Sequence, residues 1–300
     1  MSSPLPAIDA LGTRFRIEIF DDADQNRLDA TSLSIKAILL LFESNYSRFR
    51  PDSYVSILNT TGILHSPTAE FLDLLQYGLQ AYDRTDQVFN IMIGATLVAR
   101  GYDSSYSFTA SPHTDTIPNP HDVLTLQNNR ITLSHGQIDL GGLGKGYVID
   151  RIAEHLRQDC GFDYFLINGG GDMYGTSDQG EAITLFLEHP LETTTYLATT
   201  TIKNQGFAAS SLHKRTWKSG DLTYTHIINT VESGTTDSRP DATFITALSA
   251  VDADIFATVA LIMPPQSLAT LTEREALGVA TYTHRTQHLE TNILFPVDVS

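Results

Sequence analysis

The stretch that decides the fold of this chain reads Ile138-Asp139-Leu140-Gly141-Gly142-Leu143-Gly144-Lys145-Gly146. It follows a predicted strand at 130–134 and opens a predicted helix that continues to about Asp159. Glycine accepts a positive φ and lets a ligand approach the backbone closely. The free N–H groups of the first helical turn attract an anion, and Lys145 adds a positive charge. The alternative is that these glycines only let a helix pack closely on a strand, and a short glycine motif does not decide between the two.

Composition bounds the class of protein. The chain has 300 residues, 41% of them hydrophobic, with 19 basic and 35 acidic residues and a formal net charge of −16. That charge argues against nucleic acid and anionic membranes as partners, because both require basic patches. The single cysteine, Cys160, excludes an internal disulfide and a thiolate zinc cluster. No apolar run is long enough to cross a membrane, and the first ten residues lack the features of a signal peptide, so we expect a cytoplasmic protein.

Hydrophobic periodicity outlines the elements around the glycine stretch. Residues 13–20 alternate as a half-buried strand does, and residues 28–46 have the periodicity of an amphipathic helix. Serine at 66 and proline at 67 are residue types preferred at the N-cap and the first position of a helix. We expect this helix to begin there and to run to about Tyr82. Residues 123–127 and 130–134 predict a hairpin. We expect short strands near 279–283 and 292–294 at the end of the chain.

A second glycine-rich loop follows a buried strand at 164–167 and reads Asn168-Gly169-Gly170-Gly171-Asp172. The residues after it predict another strand. A dinucleotide-binding turn of the Rossmann type requires a helix at this point, so the pattern argues against that fold.

Asp254 and Thr258 lie four residues apart in a predicted helix at 252–261 and share one of its faces. Both side chains offer oxygen, which Mg²⁺ prefers as a ligand. An aspartate near a helix start is also a common cap, and the pair alone favours that structural interpretation.

Eight short blocks, in this order, resemble the ApbE family of flavin transferases from about residue 10 to 263. The blocks are Gly12-Thr13, Arg50-Pro51-Asp52-Ser53, Phe89-Asn90, the stretch 139–146, the loop 168–172, Ser210, His226-Ile227-Ile228-Asn229, and Ala253-Asp254 with Thr258. The blocks at 139–146 and 253–258 are the most specific of the eight.

The resemblance implies an α+β fold of the ApbE type (T-fold-like), with mixed and antiparallel sheets flanked by helices and a ligand cleft between two lobes. We expect one such domain over residues 1–300. The implied enzyme is an FAD:protein FMN transferase, which uses Mg²⁺ to move FMN from FAD to a Thr or Ser hydroxyl of an acceptor flavoprotein and releases AMP.

The resemblance also implies residue roles. Three oxygen donors would bind the metal: the Gly142 carbonyl, the Asp254 carboxylate and the Thr258 hydroxyl. His226 would be the general base, which makes His226 and Asp254 the implied catalytic residues. The implied FAD contacts are Leu11, Phe49, Val88, Phe89, Asn90, Asp139, Lys145 and Ile227.

The chain departs from the family pattern at several positions. Asn90 replaces the usual aspartate, and the segment from Asn229 to Gly234 has one extra residue and lacks the usual proline. Two alternatives therefore stay open beside the transferase: a non-catalytic protein that binds FAD, and an FAD diphosphatase that yields FMN and AMP.

Overall fold

The structure is a computed structural model, and it describes residues 2–111, 116–177, 180–192, 194–230 and 239–298. Of the segment 229–234, residues 231–234 lie outside this description. The strands are β1 (Ser3–Pro4), β2 (Ile8–Ala10), β3 (Thr13–Ile19), β4 (Ile63–His65), β5 (Leu124–Gln127), β6 (Arg130–Leu133), β7 (Tyr164–Gly169), β8 (Met173–Ser177), β9 (Ile183–Glu188), β10 (Tyr196–Ile202), β11 (Gln205–Ser211), β12 (Thr216–Ser219), β13 (Leu222–Thr225), β14 (Ala242–Ala247), β15 (Gly278–Thr283), β16 (His288–Thr291) and β17 (Val297–Asp298).

The helices are α1 (Gln25–Tyr46), α2 (Tyr54–Thr61), α3 (Ala69–Arg84), α4 (Gly94–Ala99), α5 (Pro120–Val123), α6 (Gly144–Gln158), α7 (Ala250–Ile262) and α8 (Pro265–Arg274). Helices and antiparallel sheets together confirm the α+β class. In the part of the chain that the structure describes, no helix is both long and apolar enough to span a bilayer.

The chain forms two compact units. Unit 1 comprises residues 1–41, 143–211 and 235–300, and unit 2 comprises residues 42–142 and 212–234. The expectation of one domain over residues 1–300 stays a prediction.

Unit 1 is built on a nine-stranded antiparallel sheet with the order β1-β3-β7-β8-β11-β14-β15-β16, in which β2 also pairs with β3. β14 is buried along its whole length because both of its faces are covered. On one face the Thr243 hydroxyl donates to the Ala257 carbonyl of α7 at 2.7 Å. On the other face Phe244 joins an apolar core with residues of the smaller sheet β17-β10-β9, such as Leu185 and Ile202.

Unit 2 contains a three-stranded sheet in the order β4-β6-β5, the hairpin β12-β13, and helices α2 to α5. The predicted hairpin is confirmed, with Gln127 opposite Arg130. The start of α3 differs from our expectation. Ser66 has a φ of +51°, outside helical geometry, and Thr68 is the N-cap because its hydroxyl accepts from the Phe71 N–H at 3.1 Å.

The prediction of a strand at 292–294 was also wrong. The preceding residues, His288 to Thr291, form β16 instead. The Asn292 side chain accepts from the Val279 N–H at 3.0 Å and donates to the Leu277 carbonyl at 2.8 Å, which ends the pairing. The strand expected after the loop 168–172 is confirmed as β8, which pairs with β7.

Candidate functional site

The glycine stretch brings the first turn of α6 against the first turn of α7 in unit 1. A Cβ on Gly146 would lie 2.5 Å from the Ala250 oxygen and 2.5 Å from the Val251 Cα, so only glycine fits at this contact. The Gly146 N–H donates to Asp254 Oδ2 at 3.1 Å. The close-packing interpretation of the glycines is therefore correct at this position, but the partner is a helix and not a strand.

Asp150 fixes the two helices to each other from the next turn of α6. Its carboxylate accepts from the N–H groups of Ala250 at 2.8 Å and Val251 at 2.9 Å. These are orphan donors at the start of α7, and a carboxylate at a helix N-terminus is favourable. Burial nevertheless raises the pKa of Asp150 to about 6, against the lowering effect of both backbone hydrogen bonds. Sequence reasoning did not identify this residue.

We expect Asp150→Asn to change how stability depends on pH. The folded pKa of about 6 exceeds the ordinary value of 3.8, so the folded chain holds the proton more tightly than the unfolded chain. The stabilisation from Asp150 is therefore complete below about pH 4 and is lost as the pH rises through about 6. The free energy of unfolding of the variant minus that of the wild type should increase by up to about 3 kcal/mol over this range. Urea unfolding of both proteins measures the difference, and a difference that does not vary with pH contradicts the expectation.

A buried charge cluster lies where α6 and α7 meet the loop after β7. The Lys145 ammonium donates to Asp172 Oδ2, and it lies 3.3 Å and 3.2 Å from the two carboxylate oxygens of Asp254. The side chains of Asp172 and Asp254 are 6% and 5% exposed, and that of Lys145 is 24% exposed. One positive charge is therefore held by two buried carboxylates, which leaves the cluster with a formal charge of −1.

The loop that carries Asp172 is held by its own hydrogen bonds. Asn168 Oδ1 accepts from the N–H groups of Gly170 at 3.0 Å and Gly171 at 3.1 Å, and the Gly169 N–H donates to the Asp172 carbonyl at 2.8 Å. Gly170 and Gly171 have φ values of +85° and +113°, which favour glycine. The second glycine motif thus directs a carboxylate toward the lysine of the first.

The charges of the cluster shift one another's protonation. Burial raises the pKa of Asp254, the negative Asp172 raises it further, and Lys145 opposes both effects. Burial alone would lower the pKa of Lys145, but the two carboxylates more than compensate and its pKa is raised. Lys145 is therefore a permanent cation in this cluster.

The donor set at α7 suits a hard cation. The ammonium of Lys145 shows that a positive charge is accommodated beside the Asp254 oxygens, and Thr258 lies one turn further along the same helix, half-buried. Within the described ranges, no group of three or more His, Cys, Asp and Glu side chains is arranged to hold a metal ion. A cation here would thus be held by fewer than three such side chains together with neutral oxygen donors, which is compatible with Mg²⁺.

Unit 2 carries a second buried ion pair, between Arg48 and Asp139. The Arg48 Nε donates to Asp139 Oδ2, and the two side chains are 6% and 9% exposed. The second guanidinium nitrogen donates to the Tyr102 carbonyl at 2.7 Å, and Asp139 Oδ1 accepts from the Gly141 N–H at 2.7 Å. Arg48 was missed because the nearby Arg50 matches the family block, although Arg50 is half exposed.

Phe49 belongs to a group of stacked rings in unit 2, hereafter the aromatic cluster. The ring of Phe49 stacks on Tyr106 with centroids 5.1 Å apart and planes 7° apart, and the Arg48 guanidinium lies 4.2 Å from the Phe49 centroid. Tyr102 links the group to Trp217 at 5.5 Å. The members are Phe49, Tyr102, Tyr106, Phe108, Trp217 and Tyr224.

A model of the ApbE family matches residues 11–283 of the chain. The chain belongs to the ApbE family. The FAD:protein FMN transferase of Haemophilus influenzae is 22% identical over 238 residues, which cover 73% of this chain and 68% of that protein. The enzyme of the same name from Escherichia coli K12 is 21% identical over 285 residues, which cover 90% and 81%.

Solved ApbE structures have the same fold as this chain. The ApbE protein of Thermotoga maritima superimposes with a TM-score of 0.83 at 17% identity, covering 98% of this chain and 97% of that one. The flavin transferase ApbE of Vibrio cholerae gives a TM-score of 0.74 at 16% identity and covers 97% of each chain. The resemblance deduced from the eight blocks is confirmed.

The remaining ApbE positions of unit 2 lie on well-packed segments. Val88, Phe89 and Asn90 are buried, and a Cβ on Gly142 would lie 3.0 Å from the Phe89 ring. The Asn90 amide accepts from the Met92 N–H at 2.8 Å and donates to the Pro118 carbonyl at 3.1 Å. Asn90 therefore stabilises its own turn in this ApbE chain.

The other ApbE positions lie on turns and strand ends. In unit 1, Leu11 occupies a two-residue hairpin turn with Gly12, at φ values of +54° and +68°. In unit 2, His226 and Ile227 follow β13 directly and are half-buried. A ring nitrogen of His226 lies 3.4 Å from the Arg215 carbonyl.

Proposed function

We propose that this chain is an Mg²⁺-dependent flavin transferase that moves FMN from FAD to a Thr or Ser hydroxyl of an acceptor protein and releases AMP. The names of its relatives support the reaction. The observation that carries the proposal is the Lys145 ammonium held beside the buried Asp254 carboxylate, because both residues occupy the two most specific family blocks.

The proposed reaction is a phosphoryl transfer. The acceptor oxygen bonds to the phosphorus that carries riboflavin, and the bond from that phosphorus to the bridging oxygen of the diphosphate breaks. AMP leaves with the bridging oxygen, and the hydroxyl proton passes to a base. Such a reaction mainly requires positioning and neutralisation of charge on the phosphate oxygens.

Four residues would interact with the diphosphate, three of them through Mg²⁺. The Gly142 carbonyl, the Asp254 carboxylate and the Thr258 hydroxyl would hold Mg²⁺, which when bound neutralises charge on the phosphate oxygens. Lys145 would add its permanent charge to the same group. The fixed contact between α6 and α7 orients Asp254 and Lys145 before any ligand binds, which reduces the cost of ordering the site.

His226 is the base that we propose for the acceptor hydroxyl. An imidazole accepts a proton near neutral pH, and His226 directly follows β13 in unit 2.

The proposed flavin contacts are Leu11, Phe49, Val88, Phe89, Asn90, Asp139 and Ile227. For Phe49 the structure adds a requirement. Phe49 stacks on Tyr106, which is 47% exposed, so an isoalloxazine ring that uses this face of Phe49 requires Tyr106 to move. The location of the protein in the cytoplasm stays a prediction.

Incubation of the chain with FAD, Mg²⁺ and a flavoprotein that carries a candidate Thr site tests the proposal. We expect flavin fluorescence that stays on the acceptor band after denaturing electrophoresis, together with an equal amount of AMP. Chelation of Mg²⁺ by EDTA should stop both. AMP without labelled acceptor would instead indicate an FAD diphosphatase, and FAD recovered intact from the protein would indicate a binding protein.

A further inference from the structure

We propose that Asp172 is a positioning residue that retains Lys145 when Asp254 binds the metal ion. The inference rests on the proposed function and gives a role to the second glycine motif, whose aspartate no family assignment above uses. The starting observation is that Lys145 is shared, since Asp172 Oδ2 and both oxygens of Asp254 accept from its ammonium.

The shared lysine and a metal ion need the same carboxylate. Lys145 lies 3.2 Å from Asp254 Oδ2, the oxygen that also accepts from the Gly146 N–H. Two positive charges at one buried carboxylate repel each other strongly, because the protein interior screens them poorly. Lys145 must therefore give up Asp254 when that carboxylate binds a cation.

Asp172 is suited to keep the lysine at that moment. Its carboxylate is buried, and its backbone is held by the Asn168 turn and by the Gly169 N–H. A Cβ on Gly170 would lie 2.1 Å from Thr13 Oγ1, so the turn is also fixed by packing. None of these contacts involves Asp254, so the backbone of Asp172 is held in the same way whether or not Asp254 binds a cation.

The two carboxylates therefore have different proposed roles: Asp254 binds the metal ion and Asp172 retains Lys145. With Asp172 present, displacement of Lys145 from Asp254 leaves the ammonium paired and near its original place, where it can meet a phosphate. Without the charge on Asp172, Lys145 has Asp254 as its one carboxylate in the cluster and competes with the metal for it. The structure thus predicts that loss of Asp172 weakens metal binding through the lysine.

A measurement of Mn²⁺ binding to the full chain tests this role. The electron paramagnetic resonance signal of the free ion gives the amount bound. Asp172→Asn keeps the side-chain size and leaves a charge-balanced pair of Lys145 and Asp254, so we expect it to fold. Its Mn²⁺ affinity should fall by roughly 10-fold or more, as for other residues that orient a metal site from outside it. Asp163→Asn, an exposed change just before β7, the strand that leads into the loop of Asp172, is the matched control and should bind like the wild type.

The Lys145→Met background separates positioning from direct contact. There Asp172→Asn should change Mn²⁺ affinity much less than in the parent chain, because no lysine competes for Asp254. An equal loss in both backgrounds would mean that Asp172 contacts the metal directly. An unchanged affinity in the parent chain would mean that Asp172 has no such role. Either result overturns the inference and leaves the transferase proposal intact. A wild-type chain that does not bind Mn²⁺ would overturn the proposed metal site as well.

Discussion

Asp254→Asn should lower FMN transfer by at least about 1000-fold, since a bound metal ion contributes several kcal/mol to a phosphoryl-transfer step and each 1.36 kcal/mol is a factor of ten. The substitution removes the one carboxylate of the proposed metal set. It keeps the size of the side chain and an oxygen for the Gly146 N–H, which now donates to Asp254 at 3.1 Å. The fold should therefore survive. Acceptor labelling, measured at saturating FAD and Mg²⁺, gives the rate.

Asp252→Asn is the matched control for this prediction. Asp252 lies in the first turn of the same helix and is half-buried. Its substitution removes one charge from α7 and leaves the bonds of Asp254 to Lys145 and Gly146 in place. Labelling by this variant should remain within a few-fold of the wild type, because Asp252 does not belong to the proposed metal set. Equal rates for Asp254→Asn and Asp252→Asn would show that the metal site is misplaced.

Lys145→Met should cost about 3–5 kcal/mol of unfolding free energy at neutral pH, the usual effect of removing one partner from a buried ion pair. The carboxylates of Asp172 and Asp254 would remain buried without a counter-charge. Because a bound cation can replace the missing charge, millimolar Mg²⁺ should restore part of the loss in this variant and stabilise the wild type less. Urea unfolding with and without Mg²⁺ measures both effects.

Lys36→Met provides the comparison, because Lys36 is exposed on α1. Its unfolding free energy should stay within about 0.5 kcal/mol of the wild type, as for surface substitutions in general. If Lys145→Met were as stable as Lys36→Met, the buried cluster would not have the electrostatic balance described above.

The order of the short blocks identified the family and the fold class, although each block alone is weak. Block order succeeds because glycine turns and helix starts are local features, and their spacing along the chain is set by the fold. The same reasoning placed Asp254 and Lys145 among the site residues, and the structure brings these two together.

Residues whose roles depend on tertiary packing were not predictable in the same way. Arg48 and Arg50 are two positions apart in one turn, and only the fold shows that Arg48 is the buried partner of Asp139. Asp150 resembles any surface acid of a helix until α7 begins against it. Asp172 ends a recognised motif, but the motif does not state that its carboxylate reaches a lysine 27 positions earlier.

The predicted start of α3 was wrong for a related reason. Ser66 and Thr68 both have a side chain suited to an N-cap, and a local rule prefers Ser66 because a proline follows it. The backbone of Ser66 is left-handed and its N–H donates to the Asn129 carbonyl at 2.9 Å. Pairing with a distant hairpin thus outweighed the local preference.

The aromatic cluster also gives this protein a built-in optical reporter. Trp217 is the one tryptophan of the chain, and it stacks on Tyr102, which in turn contacts Phe49. Indole emission selectively excited in this protein therefore originates from a single known position. An isoalloxazine absorbs light in the range where indole emits, so quenching of this emission by riboflavin or FAD would follow flavin arrival without any attached dye.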